Sequence, residues 1–176
     1  ENEKKVESKF AEGIEKEEFL VYYQPKVSLH NYQLVGAEAL CRWQRGDEII
    51  PPGQFIPVLE RSSLICTLDF YMLEHVCRDI SRWIREGKPV VKVSINLSRV
   101  HVGDPDLLRR VIEIVDKYDV PHRYIEIELT ETTTDVDFME LKNIVTGFRM
   151  QGLSVSIDDF GVGYSSLNLI REIPWN

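Results

Sequence analysis

The residue pattern predicts an α/β fold in which helices alternate with the strands of a mainly parallel sheet. Three observations carry this reading. Short β-type runs recur at 19–29, 33–43, 90–98, 124–132 and 153–160. Between the later runs, apolar residues keep a period of 3.6, the mark of βαβ units. The later strands are apolar on one side-chain parity and polar on the other, which decides how the sheet is covered.

The elements follow in order. Residues 1–18 are highly charged, with Val6, Phe10 and Ile14 four apart on one stripe. They read as an amphipathic helix and a junction to a preceding domain, the main domain running over 19–176. The runs 19–29 and 33–43 flank the polar His30-Asn31-Tyr32 and read as a hairpin, so the first strand is expected to be antiparallel. Pro51, Pro52 and Gly53 mark a connection. From Leu64 to Glu86, the residues Leu68, Met72, Val76, Ile80 and Trp83 keep helical spacing, and Gly87 supplies the cap. After the strand at 90–98, Pro105 opens a helix through Lys117 with Leu107, Val111 and Val115 inward. The strand at 124–132 leads to a helix over 138–151 closed by Gly152. The strand at 153–160 follows, and residues 161–173 turn into a further helix.

Parity then separates two architectures. In 91–98, Val91, Val93, Ile95 and Leu97 oppose Lys92, Ser94, Asn96 and Ser98. Ile125, Ile127 and Leu129 oppose Glu126 and Glu128, and Val155 and Ile157 oppose Ser154, Ser156 and Asp158. A doubly wound sheet carries helices on both faces, so its central strands are apolar on both. One apolar face fits an outer ring of helices, with the polar face turned into a lumen. The predicted architecture is a TIM-like (β/α)8 barrel, truncated here to about the first five strands. The alternative is an antiparallel sheet with one solvated face, which the helical crossovers disfavour.

Polar residues gather late in their strands: Glu38, Asn96, Glu128, and Asp158 with Asp159. Barrel enzymes place their chemistry at these C-terminal strand ends. Acids left unpaired there repel one another and resist burial. A hard divalent cation, Mg²⁺ or Mn²⁺, relieves the conflict, since every donor is oxygen. The alternative is internal pairing with Lys92, Arg42 or strand serines. The four histidines, His30, His75, His101 and His122, show no catalytic pairing and read as surface or core residues.

Composition bounds the remaining classes. The 176 residues carry 21 Lys plus Arg against 29 Asp plus Glu, a net charge of −8, with 43% hydrophobic residues. General disorder is excluded, and non-specific binding to DNA, RNA or anionic membrane is disfavoured. No apolar run approaches the ~18–20 residues that span a bilayer. Three cysteines without CxxC spacing point away from disulfides and zinc, toward a cytoplasmic location.

These residues also carry a family resemblance. Gly36–Trp43, GAEALCRW, resembles the signature of the EAL-domain cyclic-di-GMP phosphodiesterases, with Glu38-Ala39-Leu40 as the naming triplet. Tyr23-Gln24-Pro25, Phe55–Ile65, Ser94–Ser98, Glu128–Glu131 and Ile157–Leu167 resemble further family motifs, in family order. The resemblance implies a barrel that hydrolyses cyclic di-GMP to pGpG by two-metal water activation, in bacterial second-messenger signalling. It implies Glu38, Asn96, Glu128 and Asp158 as ligands of one Mg²⁺ or Mn²⁺, and Asp158 with Asp159 on the second. It places Arg42 on substrate phosphate, Gln24 and Leu40 along the nucleotide, and Glu131 against the loop at Gly161–Ser166. It also implies homodimer pairing through the loop after Asp159, and an upstream sensor or cyclase domain that could tether the protein to a membrane. Val162 departs from the family, which usually has Thr there. The family's later Lys and Glu belong to strands beyond Asn176, so the isolated chain is expected to be inactive. The alternative function is a non-catalytic cyclic-di-GMP sensor or interaction module.

Overall fold

The computed structural model describes residues 2–130 and 138–158. Helix α1 (Asn2–Glu15) precedes strands β1 (Phe19–Val27), β2 (Leu34–Arg45) and β3 (Glu48–Ile50). Helices α2 (Pro52–Arg61) and α3 (Ile65–Arg85) lead to β4 (Lys92–Leu97), and α4 (Leu107–Lys117) to β5 (Ile125–Thr130). Helix α5 (Phe138–Met150) leads to β6 (Ser154–Asp158). Short 3₁₀ turns, Arg99–His101 and His122–Tyr124, follow β4 and precede β5.

The sheet runs β1-β2-β4-β5-β6, with β3 paired to β2. Strand β1 is antiparallel to β2, as the hairpin reading requires, while β2, β4, β5 and β6 are parallel neighbours. This is the β/α succession of a TIM-like barrel with its first strand reversed. Two elements differ from the sequence reading: α2 and β3 occupy what was expected to be a connection. Pro52 stands at the start of α2, where a missing N–H is harmless and the fixed φ helps. Pro57 sits inside α2, and the helix is held by burial of Phe55, Val58 and Leu59.

Parity sets the layers. Val93, Ile95, Leu97, Ile125, Ile127, Leu129 and Val155 point outward and are buried. They pack on Leu73, Val76 and Ile80 of α3, Val111 and Val115 of α4, and Val145 and Phe148 of α5. Each such side chain contributes roughly 1.5–3 kcal/mol on burial. Gly87 and Gly152 end α3 and α5 at φ of 68° and 84°, a backbone that glycine adopts without strain.

A second cluster closes the corner where α1 meets the sheet, beside the C-terminal end of β2. Phe19 lies 4.8 Å from Trp43 ring to ring, 5.5 Å from Phe10 and 5.9 Å from Phe55. The Trp43 Nε1–H donates to Glu18 at 2.9 Å. The apolar stripe of α1 is thus part of this core, with Phe10 buried in it. Among the described residues no helix is long and apolar enough to cross a membrane.

Candidate active site

The inward parity is polar and bonded across strands. Ser94 donates to Glu126 at 2.7 Å, Ser156 reaches the same carboxylate at 3.3 Å, and Lys92 donates to Ser154 at 2.6 Å. Glu128 is only 8% exposed, its carboxylate accepting from Lys26 at 3.3 Å. Part of the acid charge is therefore balanced internally, through Lys26 rather than Lys92 or Arg42.

Toward the strand ends stand the candidate ligands. Asn96 donates to Glu38 Oε1 at 2.9 Å, joining β4 to β2. Asn96 and Glu128 are direct partners in the β4–β5 register, and Glu128 faces Ser156 in the next. Asp158 ends β6 opposite Thr130. Its side chain lies outside the description, as do Asp159, Glu131 and the loop at 161–166. Among the described residues no three His, Cys, Asp or Glu side chains converge as a ready-made metal cluster. The donor set of Glu38, Asn96 and Glu128 fits a hard divalent cation: carboxylate and amide oxygens on three adjacent strands, sharing one face.

Gln24 is the β-partner of Glu38 across the hairpin, so both belong to one rim. Arg42 is two pleats beyond Glu38. Its Nη1 donates to the Cys41 carbonyl at 2.8 Å, and its guanidinium lies 5.6 Å from the Tyr22 ring. Leu40, Arg42 and Asn96 line a cleft of about 200 Å³ that runs down to Ile56, Asp69 and Ser98. Burial pushes the Cys41 thiol in this cleft up to about 12, so it is no nucleophile at neutral pH.

Two groups escaped the sequence reading. Asp69 of α3 accepts from the Ser98 backbone N–H at 2.8 Å and meets His101 Nε2 at 3.1 Å, clamping the turn after Asn96. Burial raises the pKa of its carboxyl, against the lowering effect of both partners. Lys26 is the other. It shares the parity of Gln24, and that spacing was the signal available for it.

Taken together, the fold and site define an α/β-barrel protein with an acid- and amide-lined site at its strand ends. The family model for the EAL domain matches residues 7–176. The chain belongs to the EAL domain family. It is 33% identical over 164 residues to the signaling protein YkoW of Bacillus subtilis, covering 93% of this chain and 20% of that protein. It is 31% identical over 164 residues to MucR of Pseudomonas aeruginosa, a bifunctional diguanylate cyclase/cyclic di-GMP phosphodiesterase, covering 93% of this chain and 24% of that protein. The solved MucR phosphodiesterase in complex with c-di-GMP superposes with a TM-score of 0.89 at 29% identity, covering 98% of this chain and 70% of that one. The chain thus spans about a quarter or less of these curated relatives.

Proposed function

We propose that this chain supplies the early strands of a metal-dependent phosphodiesterase that hydrolyses cyclic di-GMP to pGpG. The observation that carries the proposal is the Glu38–Asn96 hydrogen bond, with Glu128 in register beside Asn96. Family membership and the c-di-GMP complex of the MucR neighbour support the substrate.

Glu38, Asn96, Glu128 and Asp158 would hold one Mg²⁺ or Mn²⁺, and Asp158 with Asp159 the second. Bound metal supplies charge neutralisation at the phosphodiester and a lowered pKa for water. The chain's own residues do the rest. Arg42 releases the Cys41 carbonyl and binds a phosphate through its planar fork. Asn96 orients the Glu38 carboxylate, and Asp69 holds the turn that follows Asn96. Gln24 and Leu40 flank the nucleotide, and the apolar cleft walls exclude water from it. Glu131 steadies the loop after Asp159, through which two copies pair. A cytoplasmic location and a sensor or cyclase domain upstream belong to the same proposal.

A fragment limited to these 176 residues is expected to bind without turnover, because the strands that complete the second metal lie elsewhere in the barrel. The test is chromatographic assay of pGpG from cyclic di-GMP, using protein that includes the complete barrel. Activity with Mg²⁺ or Mn²⁺, lost on chelation, is expected; full activity after exhaustive chelation would overturn the metal reading. High-affinity dinucleotide binding by a complete barrel that makes no pGpG under any metal would favour the sensor alternative.

A further inference from the structure

The inward face of the sheet holds a cation in contact with Glu128, the most buried acid of that face among the described residues. Lys26 leaves β1 opposite Gly36, and its Nζ donates to Ser94 Oγ at 2.8 Å and to Glu128 Oε2 at 3.3 Å. Glu126 Oε1 lies 3.9 Å away. One ammonium therefore ties β1 to β4 and β5. The face has space for it because Gly36 carries no side chain. A Cβ there would press on the Lys92 carbonyl at 3.1 Å and lie beside the Lys26 stem at 3.9 Å.

We propose that Lys26 is the resident counter-cation of the carboxylate face, the charge that a divalent metal must displace from Glu128. The inference rests on the assignment of Glu128 as a metal ligand under Proposed function. A carboxylate as buried as Glu128 is costly to keep ionised without a partner, and Lys26 supplies one. A metal arriving on the same carboxylate brings two positive charges close to the ammonium, and in a confined site that repulsion is strong. A hydrogen-bonding partner can instead orient a ligand and strengthen metal binding. A 3.3 Å bond from a freely rotating ammonium orients weakly, however, while its charge acts in full, so repulsion wins. The lysine also has a way out. Its side chain is 41% exposed and its stem flexible, whereas the Glu128 side chain is 11% exposed. Lys92, the neighbouring cation on this face, bonds Ser154 instead.

Mn²⁺ alone, titrated into the purified protein and followed by the electron paramagnetic resonance of free Mn²⁺, tests the proposal. Lys26→Met and Lys26→Gln are each expected to tighten Mn²⁺ binding by about tenfold or more and to lower the melting temperature of the metal-free protein. The Gln variant keeps a donor for Ser94 and carries the test should the Met variant fail to fold. Unchanged or weaker Mn²⁺ affinity in a folded Lys26 variant overturns the proposal. Glu128→Gln separates the two readings. If it abolishes binding while the Lys26 variants bind like the parent, only the counter-cation role fails. If it binds as well as the parent, the ligand assignment of Glu128 fails first. Absence of Mn²⁺ binding in every variant overturns both.

Discussion

Replacing Arg42 by Ala separates binding from folding more cleanly than any other change at the site. Among the described residues the guanidinium contacts the adjacent Cys41 carbonyl and, at 5.6 Å, the Tyr22 ring. Tyr22 is 45% exposed, so the ring contact is worth about 0.5–1 kcal/mol. The carbonyl bond forms between neighbours on one strand and leaves no buried group stranded when it is lost. Folding should therefore weaken by about 1 kcal/mol at most, a fall of roughly 2–4 °C in Tm at this chain length. The effect on substrate should be larger. A hydrogen bond from a charged donor to phosphate is worth about 1.5–3 kcal/mol, which is roughly ten- to a hundredfold in affinity. Titration calorimetry with cyclic di-GMP, with Ca²⁺ present to suppress turnover, measures the loss directly. It should shrink as salt is raised, since the contact is ionic. Unchanged affinity in a folded Arg42→Ala protein would refute the phosphate assignment. A large fall in Tm would show instead that Arg42 has a structural role that these contacts do not reveal.

Other outcomes follow from the same geometry. Glu38→Ala in a complete barrel should cut kcat by about 10²–10³, the scale of losing one preorganised electrostatic group, with circular dichroism unchanged. Phe55→Ala empties a fully buried position between Phe19 and Trp43, and urea unfolding should show a loss of about 3–5 kcal/mol. His122 touches the Asp116 carboxylate and the Gln151 carbonyl, two acceptors that only a doubly protonated ring satisfies together. The Asp116 bond, then the Gln151 bond, raise its pKa above the usual 6.5. Its stabilisation is therefore full below that value and fades as pH rises through the higher folded value. The Tm gap between the protein and His122→Gln should narrow from pH 6 to pH 8.5, and a constant gap would count against the charged ring.

Much of the architecture was legible because a barrel strand is covered on one face only. Alternation then separates the helix-facing Val93, Ile95 and Leu97 from the inward Ser94 and Asn96 without knowledge of the fold. The long helix Ile65–Arg85 was legible for the same reason, its apolar period running unbroken. Helix α2 was not. Two prolines and a glycine at its start read as punctuation, and only burial of Phe55 and Leu59 reveals that they begin a helix. Strand β3 has three residues, too few for alternation to register. At the site, parity and motif pointed to Glu38, Asn96 and Glu128, and the structure brings Asn96 to Glu38 and into register with Glu128. The pairing of Lys26 with Glu128 spans 102 residues, a relation that no local pattern encodes. Asp69 was hidden on a helix stripe that otherwise reads as core.

The order of strands across the sheet has a consequence for how the protein is made. From β2 to β6 the spatial sequence of the parallel strands repeats their order along the chain. Each parallel strand leaving the ribosome finds its template already laid, with β3, α2 and α3 to fold before β4 and a single α-helix before each of β5 and β6. The hairpin of β1 and β2 needs no distant partner, so it is the natural seed, and growth proceeds from one edge alone. Such a sheet assembles vectorially, with each loop closure confined to one crossover, which keeps its entropic cost low. Among the described strands, unfolding should reverse that history, β6 leaving before β5 and β5 before β4. The Lys26–Glu128 clasp, which must wait for β5, would mark the step at which the early strands are locked together.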